Sequence, residues 1–180
     1  MDSSSRNTAI HGVLLNIFST GVVLTGESGR GKSDCALELL SRGHKLIADD
    51  VVEVTRICDR LIGRSPVRFV GLLDVRDIGI VDVRALFPDG FKLEHEIDLC
   101  IDLQDHDEGQ SLERPGNKVS ETDIADFVVP KFVLSITRGR NLPLLVETIV
   151  RLYESGNLPA ETELLVAHDD LVADPPNNLR

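Results

Sequence analysis

One eight-residue stretch limits what this chain can become. Gly26-Glu27-Ser28-Gly29-Arg30-Gly31-Lys32-Ser33 matches the pattern G-x-x-x-x-G-K-[ST] in full. Before it, Val13–Phe18 and Val22–Thr25 read as two strands joined at Ser19-Thr20-Gly21. After it the period changes: Ala36, Leu37, Leu39 and Leu40 fall on one side of a helix that ends near Ser41-Arg42-Gly43, with Gly43 as its C-cap. Strand, glycine turn, helix is the context in which such a loop holds phosphate. Gly26, Gly29 and Gly31 let backbone N–H groups turn toward an anion, and a helix opening at Lys32 adds the positive end of its dipole. Lys32 is then placed to reach β- and γ-phosphates, and the Ser33 hydroxyl to ligate Mg²⁺. The whole stretch, Glu27, Ser28 and Arg30 included, is the candidate nucleotide-binding element; the bland alternative is a glycine-rich surface turn. A phosphate loop names a nucleotide and not a reaction, so GTPase, motor, transporter ATPase and small-molecule kinase all stay open at this point.

The next feature narrows the field. Lys45–Ala48 reads as a strand, and Asp49-Asp50 puts two carboxylates at its C-terminal end. A parallel βαβ crossover through the preceding helix would bring that end beside the glycine loop. There one carboxylate can serve Mg²⁺, directly or through water, and the other can accept a proton from an attacking hydroxyl. A polar strand-end turn is the competing reading.

Elsewhere the pattern is that of one α/β domain with a mixed sheet. Val51–Thr55 alternates as a strand, residues 61–103 give short strands and a small helix around Val83–Phe87, and Glu96–Leu103 alternates as a strand with one solvated face. Gln104–Asp123 is almost devoid of apolar residues and reads as a long polar loop, functional or disordered. Phe127–Ile136 is strand-like, and Asn141 opens a helix with Leu144, Leu145, Ile149 and Leu152 at its apolar positions. Residues 1–9 form a flexible start, 10–156 the catalytic domain, and 157–180 a terminal helix (Pro159–Ala173) and tail. The net charge of −11 repels polyanions, which argues against nucleic-acid or anionic-membrane binding. No run approaches the ~18 apolar residues of a membrane helix. Cys35, Cys58 and Cys100 fit no metal-ligand spacing and read as reduced, partly buried thiols of a cytoplasmic protein.

Four blocks together carry a resemblance. His11-Gly12, GESGRGKS, Ala36–Asp50 (ALELLSRGHKLIADD) and Val129–Leu142 (VPK…GRNL) are similar, in gapless order, to the catalytic domain of the HPr kinase/phosphorylase family. That family's N-terminal regulatory domain has no counterpart among the matched blocks. The resemblance implies a nucleotide-binding core like that of phosphoenolpyruvate carboxykinase, followed by C-terminal helices. It also implies ATP-dependent phosphorylation of a serine on the phosphocarrier protein HPr. The reverse reaction it implies uses inorganic phosphate and releases pyrophosphate. Asp50 then corresponds to the residue that takes the serine proton and returns it in reverse. His11, Lys32 and Arg114 match further active-site positions, Ser33 and Asp74 match metal positions beside Asp49, and a homo-hexamer is implied. Asp74–Val83 corresponds to the family signature and Ser135–Arg140 to a stretch tied to the reverse reaction. Two departures stand in the signature: Asp74 where the family has Glu, and Asp77 where it has Gly.

Taken alone, His11 is as readily a surface or core histidine, and Arg114 a solvated side chain on a polar loop. Arg138 and Arg140 around Gly139 are the small cationic cluster of an acidic chain. Two rival functions remain: a small-molecule kinase with the polar loop as its lid, and a nucleotide-sensing module that the Asp74 and Asp77 departures have cost its catalysis.

Overall fold

The computed structural model describes residues 7–105, 118–137 and 139–158. Within them a six-stranded mixed sheet is sandwiched between helices and a second, four-stranded sheet. The large sheet has the order β11 (Lys118–Ile124), β12 (Phe127–Ile136), β10 (Leu99–Asp105), β3 (Thr20–Gly26), β2 (Val13–Ile17), β4 (Lys45–Ala48). The smaller antiparallel sheet runs β1 (Asn7–His11), β5 (Val51–Ile57), β6 (Arg60–Arg64), β9 (Glu94–Glu96). A hairpin, β7 (Leu72–Val75) and β8 (Gly79–Asp82), stands apart from both. The helices are α1 (Lys32–Ser41), α2 (Val83–Leu86) and α3 (Leu142–Glu154).

Alternation along the central strands builds both cores. Val13, Leu15 and Ile17, Val22 and Leu24, and Leu99, Ile101 and Leu103 face α1 and α3, where they meet Ala36, Leu39, Val146 and Val150. Leu14, Val23 and Cys100 point the other way, into a second cluster with Val52, Val54 and Leu61 of the small sheet. Because both faces are covered, these strands read as continuous apolar runs. Truncating a fully buried residue such as Leu24 to Ala would cost about 2–5 kcal/mol.

Local chemistry explains the helix ends. Gly43, at φ +93°, closes α1 with a Schellman pair: His44 N–H donates to Leu39 and Gly43 N–H to Leu40. Asn141 caps α3 by accepting from Leu144 N–H, and Asp82 caps α2 by accepting from Arg84 N–H.

Several expectations are corrected. The strand expected over Glu96–Leu103 is two strands of different sheets, because the chain turns at Ile97-Asp98. There Ile97 N–H donates to Leu61, Asp98 N–H to Gly21, and the Asp98 carboxylate accepts from Gly21 N–H. The polar stretch 104–123 is not all loop: among the described residues Lys118–Ile124 is an edge strand paired with β12 alone, a place where polar side chains are tolerated. Leu144 lies on the exposed side of α3, whose buried positions are Pro143, Val146, Ile149 and Val150. Cys58 is exposed, while Cys35 and Cys100 are buried. The expected helix Pro159–Ala173, like Arg114 and Arg138, lies outside the described residues.

Candidate active site

β3 and β4 run parallel, as a crossover through α1 demands, but β2 lies between them and is antiparallel to both. The chain changes sheets twice at the loop end of this arrangement. It passes from β1 to β2 at Gly12, and from β4 to β5 at Asp49-Asp50. The two crossings touch: Gly12 N–H donates to the Asp50 carbonyl at 3.1 Å. Gly12 is required there, since a Cβ would sit 2.5 Å from the Leu24 carbonyl oxygen. This contact puts His11 Nδ1 at 3.1 Å from Asp50 Oδ1, with both side chains largely exposed.

Asp50 holds an unusual backbone. Its φ is +64°, and Val51 N–H donates to the Asp49 carbonyl across it at 2.8 Å. An i→i+2 bond over a positive-φ residue is uncommon and costs of order 1–3 kcal/mol. The two sheets on either side fix both ends of this turn.

Its neighbour Asp49 points the opposite way, into the protein, and is 8% exposed. One carboxylate oxygen accepts from Asp74 N–H at 2.9 Å and the other lies 3.4 Å from Ser33 Oγ. Burial pushes this carboxyl above the usual range, against the pull of the hydrogen bonds from Asp74, Asp50 and Ser33. Among the described residues no lysine or arginine pairs with it. A buried carboxylate beside a hydroxyl, without a protein cation, is a donor set that fits a hard divalent ion. Asp74 comes to this point through its backbone; its own side chain is exposed, and no described group of three or more His, Cys, Asp or Glu is gathered for a metal.

The glycine loop begins where β3 ends. Gly26 sits at φ +125°, and a Cβ there would fall 2.4 Å from the Leu103 carbonyl oxygen of β10. Glycine is therefore dictated by packing as well as by the turn. Lys32 is buried and donates from Nζ to the carbonyls of Gly26 (2.6 Å) and Glu27 (2.9 Å), folding back over the loop it closes. Arg30 bridges Glu27 and Asp105, tying the loop to the end of β10.

The structure thus brings His11, Asp50, Asp49, Ser33 and the loop to one place, with Asp74 at its border. One further residue belongs with them. Arg76 Nη2 lies 3.8 Å from where a Cβ on Gly29 would be, so a guanidinium stands against the glycine-loop backbone. Its only sequence signal is its place in the 74–83 signature. The following Asp77, at φ +65°, adopts the left-handed conformation that glycine favours, in a turn closed by Ile78 N–H to Val75.

Known proteins with this pattern are specific. A family model described as the HPr Serine kinase C-terminal domain matches residues 2–164. HPr kinase/phosphorylase of Geobacillus thermodenitrificans (strain NG80-2) is 42% identical over 142 residues, which is 78% of this chain and 46% of that protein. The enzyme of the same name from Clostridium acetobutylicum is 42% identical over 153 residues, 84% of this chain and 50% of that protein. The chain spans about half the length of the curated relatives it matches. The solved structure of the Hpr(Ser) kinase/phosphatase from Coxiella burnetii superposes with a TM-score of 0.77 at 34% identity, covering 93% of this chain and 99% of that one. By sequence and by fold, the chain belongs to the HPr serine kinase C-terminal domain family.

Proposed function

We propose that this chain carries the catalytic site of a protein-serine kinase that phosphorylates HPr with ATP. The same site reverses the transfer with inorganic phosphate, giving pyrophosphate. The observation that carries the proposal is the pair of touching sheet crossings: they set the His11–Asp50 pair immediately beside Asp49, Ser33 and the glycine loop. The names of its relatives, HPr kinase/phosphorylase and Hpr(Ser) kinase/phosphatase, support HPr as the acceptor and transfer in both directions.

In this reading Gly26–Ser33 is a P-loop on a core like that of phosphoenolpyruvate carboxykinase, and it cradles the nucleotide phosphates. Ser33 and Asp49 would hold magnesium, with Asp74 in the remaining carboxylate position. The ion supplies charge neutralisation across the phosphate oxygens. Lys32, already aimed across the loop, keeps one N–H for a phosphoryl oxygen, and Arg76 offers a second cation from the hairpin. Arg114, by resemblance, would supply a further cation to the transferring group. Asp50 takes the serine proton as the serine oxygen attacks the γ-phosphorus and the bond to the β-phosphate oxygen breaks. His11 orients its carboxylate. In the reverse direction a phosphate oxygen attacks phosphoserine, and Asp50 returns the proton to the departing serine oxygen.

The same reading makes the protein a cytoplasmic homo-oligomer, hexameric by resemblance; among the described residues no helix is long and apolar enough to cross a membrane. Its test is Asp50→Asn assayed with HPr, ATP and magnesium, reading phosphoserine by mass. Transfer should fall roughly 10²–10⁴-fold, the usual worth of a positioned general base. An undiminished rate removes Asp50 from the mechanism.

A further inference from the structure

Where the glycine loop leaves the large sheet, the apolar pattern of the central strands gives way to charge. On the face that the small sheet covers, Val23, Cys100 and Val129 are buried in one apolar cluster. Two residues further along β3 and β10 the same face carries Thr25 and Asp102, which stand opposite one another in the parallel register. Lys131 of β12, opposite Cys100, reaches along the face to Asp102. Lys131 closes the VPK block and has no part in the site described above.

These side chains form one connected group. One oxygen of the Asp102 carboxylate accepts from the Thr25 hydroxyl at 3.0 Å. The other accepts from Lys131 Nζ at 3.0 Å and from Gln104 Nε2 at 3.0 Å. Burial acts to raise this carboxyl, but the bonds from Lys131, Gln104 and Thr25 outweigh it and hold it below the usual carboxylate range. An apolar pair in such a place is often as stable as an ion pair. The charges therefore call for a reason other than stability.

What Asp102 holds is the root of the glycine loop, since Thr25 is the last residue before Gly26. β10 meets the loop and its root at three places: Asp102 takes the Thr25 hydroxyl, the Leu103 carbonyl packs on Gly26, and Asp105 pairs with Arg30. Within the loop, Lys32 is tied to the carbonyls of Gly26 and Glu27, so the groups that would grip phosphate move as one body. Asp50 stands on a different element, the crossing from β4 to β5. A shift of the root changes the distance from bound phosphate to Asp50 and leaves the grip on the phosphate intact.

We infer that Asp102, paired with Lys131, is a positioning residue for the transfer: it holds Thr25 so that the glycine loop sits in register with Asp50. The inference rests on the reading of the site as a serine kinase and adds what aligns its two halves.

The test is steady-state phosphorylation of HPr by the full chain with ATP and magnesium, reading kcat and the KM for ATP separately. Thr25→Val keeps the shape of the side chain and removes the hydroxyl; Thr25→Ser keeps the hydroxyl and removes the methyl. Thr25→Val and Asp102→Ala should each lower kcat about 10–100-fold, as a misplacement of about 1 Å does, with the KM for ATP within about twofold. Thr25→Ser should stay within about twofold of the unmodified kcat, because the hydroxyl and not the packing is what counts. The double variant should be no slower than the slower single one, since both remove the same bond. Thr25→Ser as slow as Thr25→Val, or Thr25→Val at full speed, overturns the inference, and so does a loss carried by the KM for ATP or a double variant whose losses multiply. An unmodified chain that leaves HPr unphosphorylated removes the kinase reading, and the inference falls with it.

Discussion

Asp49 and Asp50 are neighbours in the chain and belong to different parts of the molecule. Asp49 ends a strand of the large sheet; it is buried and takes hydrogen bonds from Asp74 N–H and Ser33. Asp50 begins the passage into the small sheet; its side chain is 71% exposed, its backbone sits at φ +64°, and its partner is the exposed His11. The large-sheet side of the site, with Lys32 folded over Gly26 and Glu27, is held by satisfied polar contacts. The small-sheet side is held in an unfavourable conformation by the two sheets that flank it. The difference matches the two tasks proposed for them. A group that positions a cation and phosphates gains from rigidity and burial, whereas a base must remain open to an incoming protein side chain.

The largest test of this contrast is on the buried side. Lys32→Ala should lower phosphotransfer roughly 10²–10³-fold, as loss of a fixed electrostatic donor does, and weaken ATP in titration as well. His11→Ala, on the exposed side, should cost less, with ATP binding unchanged, because the ion-pair partner of its ring among the described residues is Asp50. Equal losses from both would erase the distinction. Next is Gly12→Ala, at the crossing that the two sides share. A Cβ 2.5 Å from the Leu24 carbonyl should destabilise the fold by about 1–3 kcal/mol in denaturant unfolding. A third pair sharpens the comparison further. Asp49→Ala leaves Asp74 N–H without its acceptor and should cost about 1–3 kcal/mol. Asp50→Gly relieves the positive φ and should gain about 1 kcal/mol while abolishing transfer. A loss of stability in Asp50→Gly would show that strain at Asp50 has been misread.

What the chain reveals from sequence follows from how local each feature is. The glycine loop, α1 with Gly43 and α3 with Asn141 depend on residues within a few positions, and each is found close to where its pattern sets it. The carboxylate pair is legible as a strand end. That β2 separates β3 from β4 is not, because it depends on pairing between distant segments. Alternation misleads at Glu96–Leu103 for the same reason: Asp98 is polar because it caps Gly21 N–H at a sheet change, and its place in the pattern is coincidental. Nothing local marks Arg76 either, since its approach to Gly29 is set by the β7–β8 hairpin packing against α1. His11 and Asp50 are far apart in sequence, and only the contact between the two crossings joins them.

The smallest effect concerns what keeps the helix-covered side rigid. His44 is buried at the end of α1; its Nδ1 faces Phe18 N–H at 3.4 Å, which leaves Nε2–H to donate to Glu147 of α3 at 2.8 Å. Arg42 donates to the other oxygen of Glu147 at 2.8 Å. Burial raises the Glu147 carboxyl, but the hydrogen bond from His44 and the charge of Arg42 outweigh it, and the net shift is below 4.5. A depressed carboxylate binds fewer protons folded than unfolded between those two values, so stability rises with pH there. Its contribution is complete above 4.5 and drains away as pH falls through the lowered value. Glu147→Gln should therefore unfold about 1 kcal/mol more easily near neutral pH, and the gap to the unmodified chain should close in acid. A gap that persists unchanged below that window would make the clamp a matter of packing, and the contrast between the two sides of the site would then rest on Asp49 and Lys32 alone.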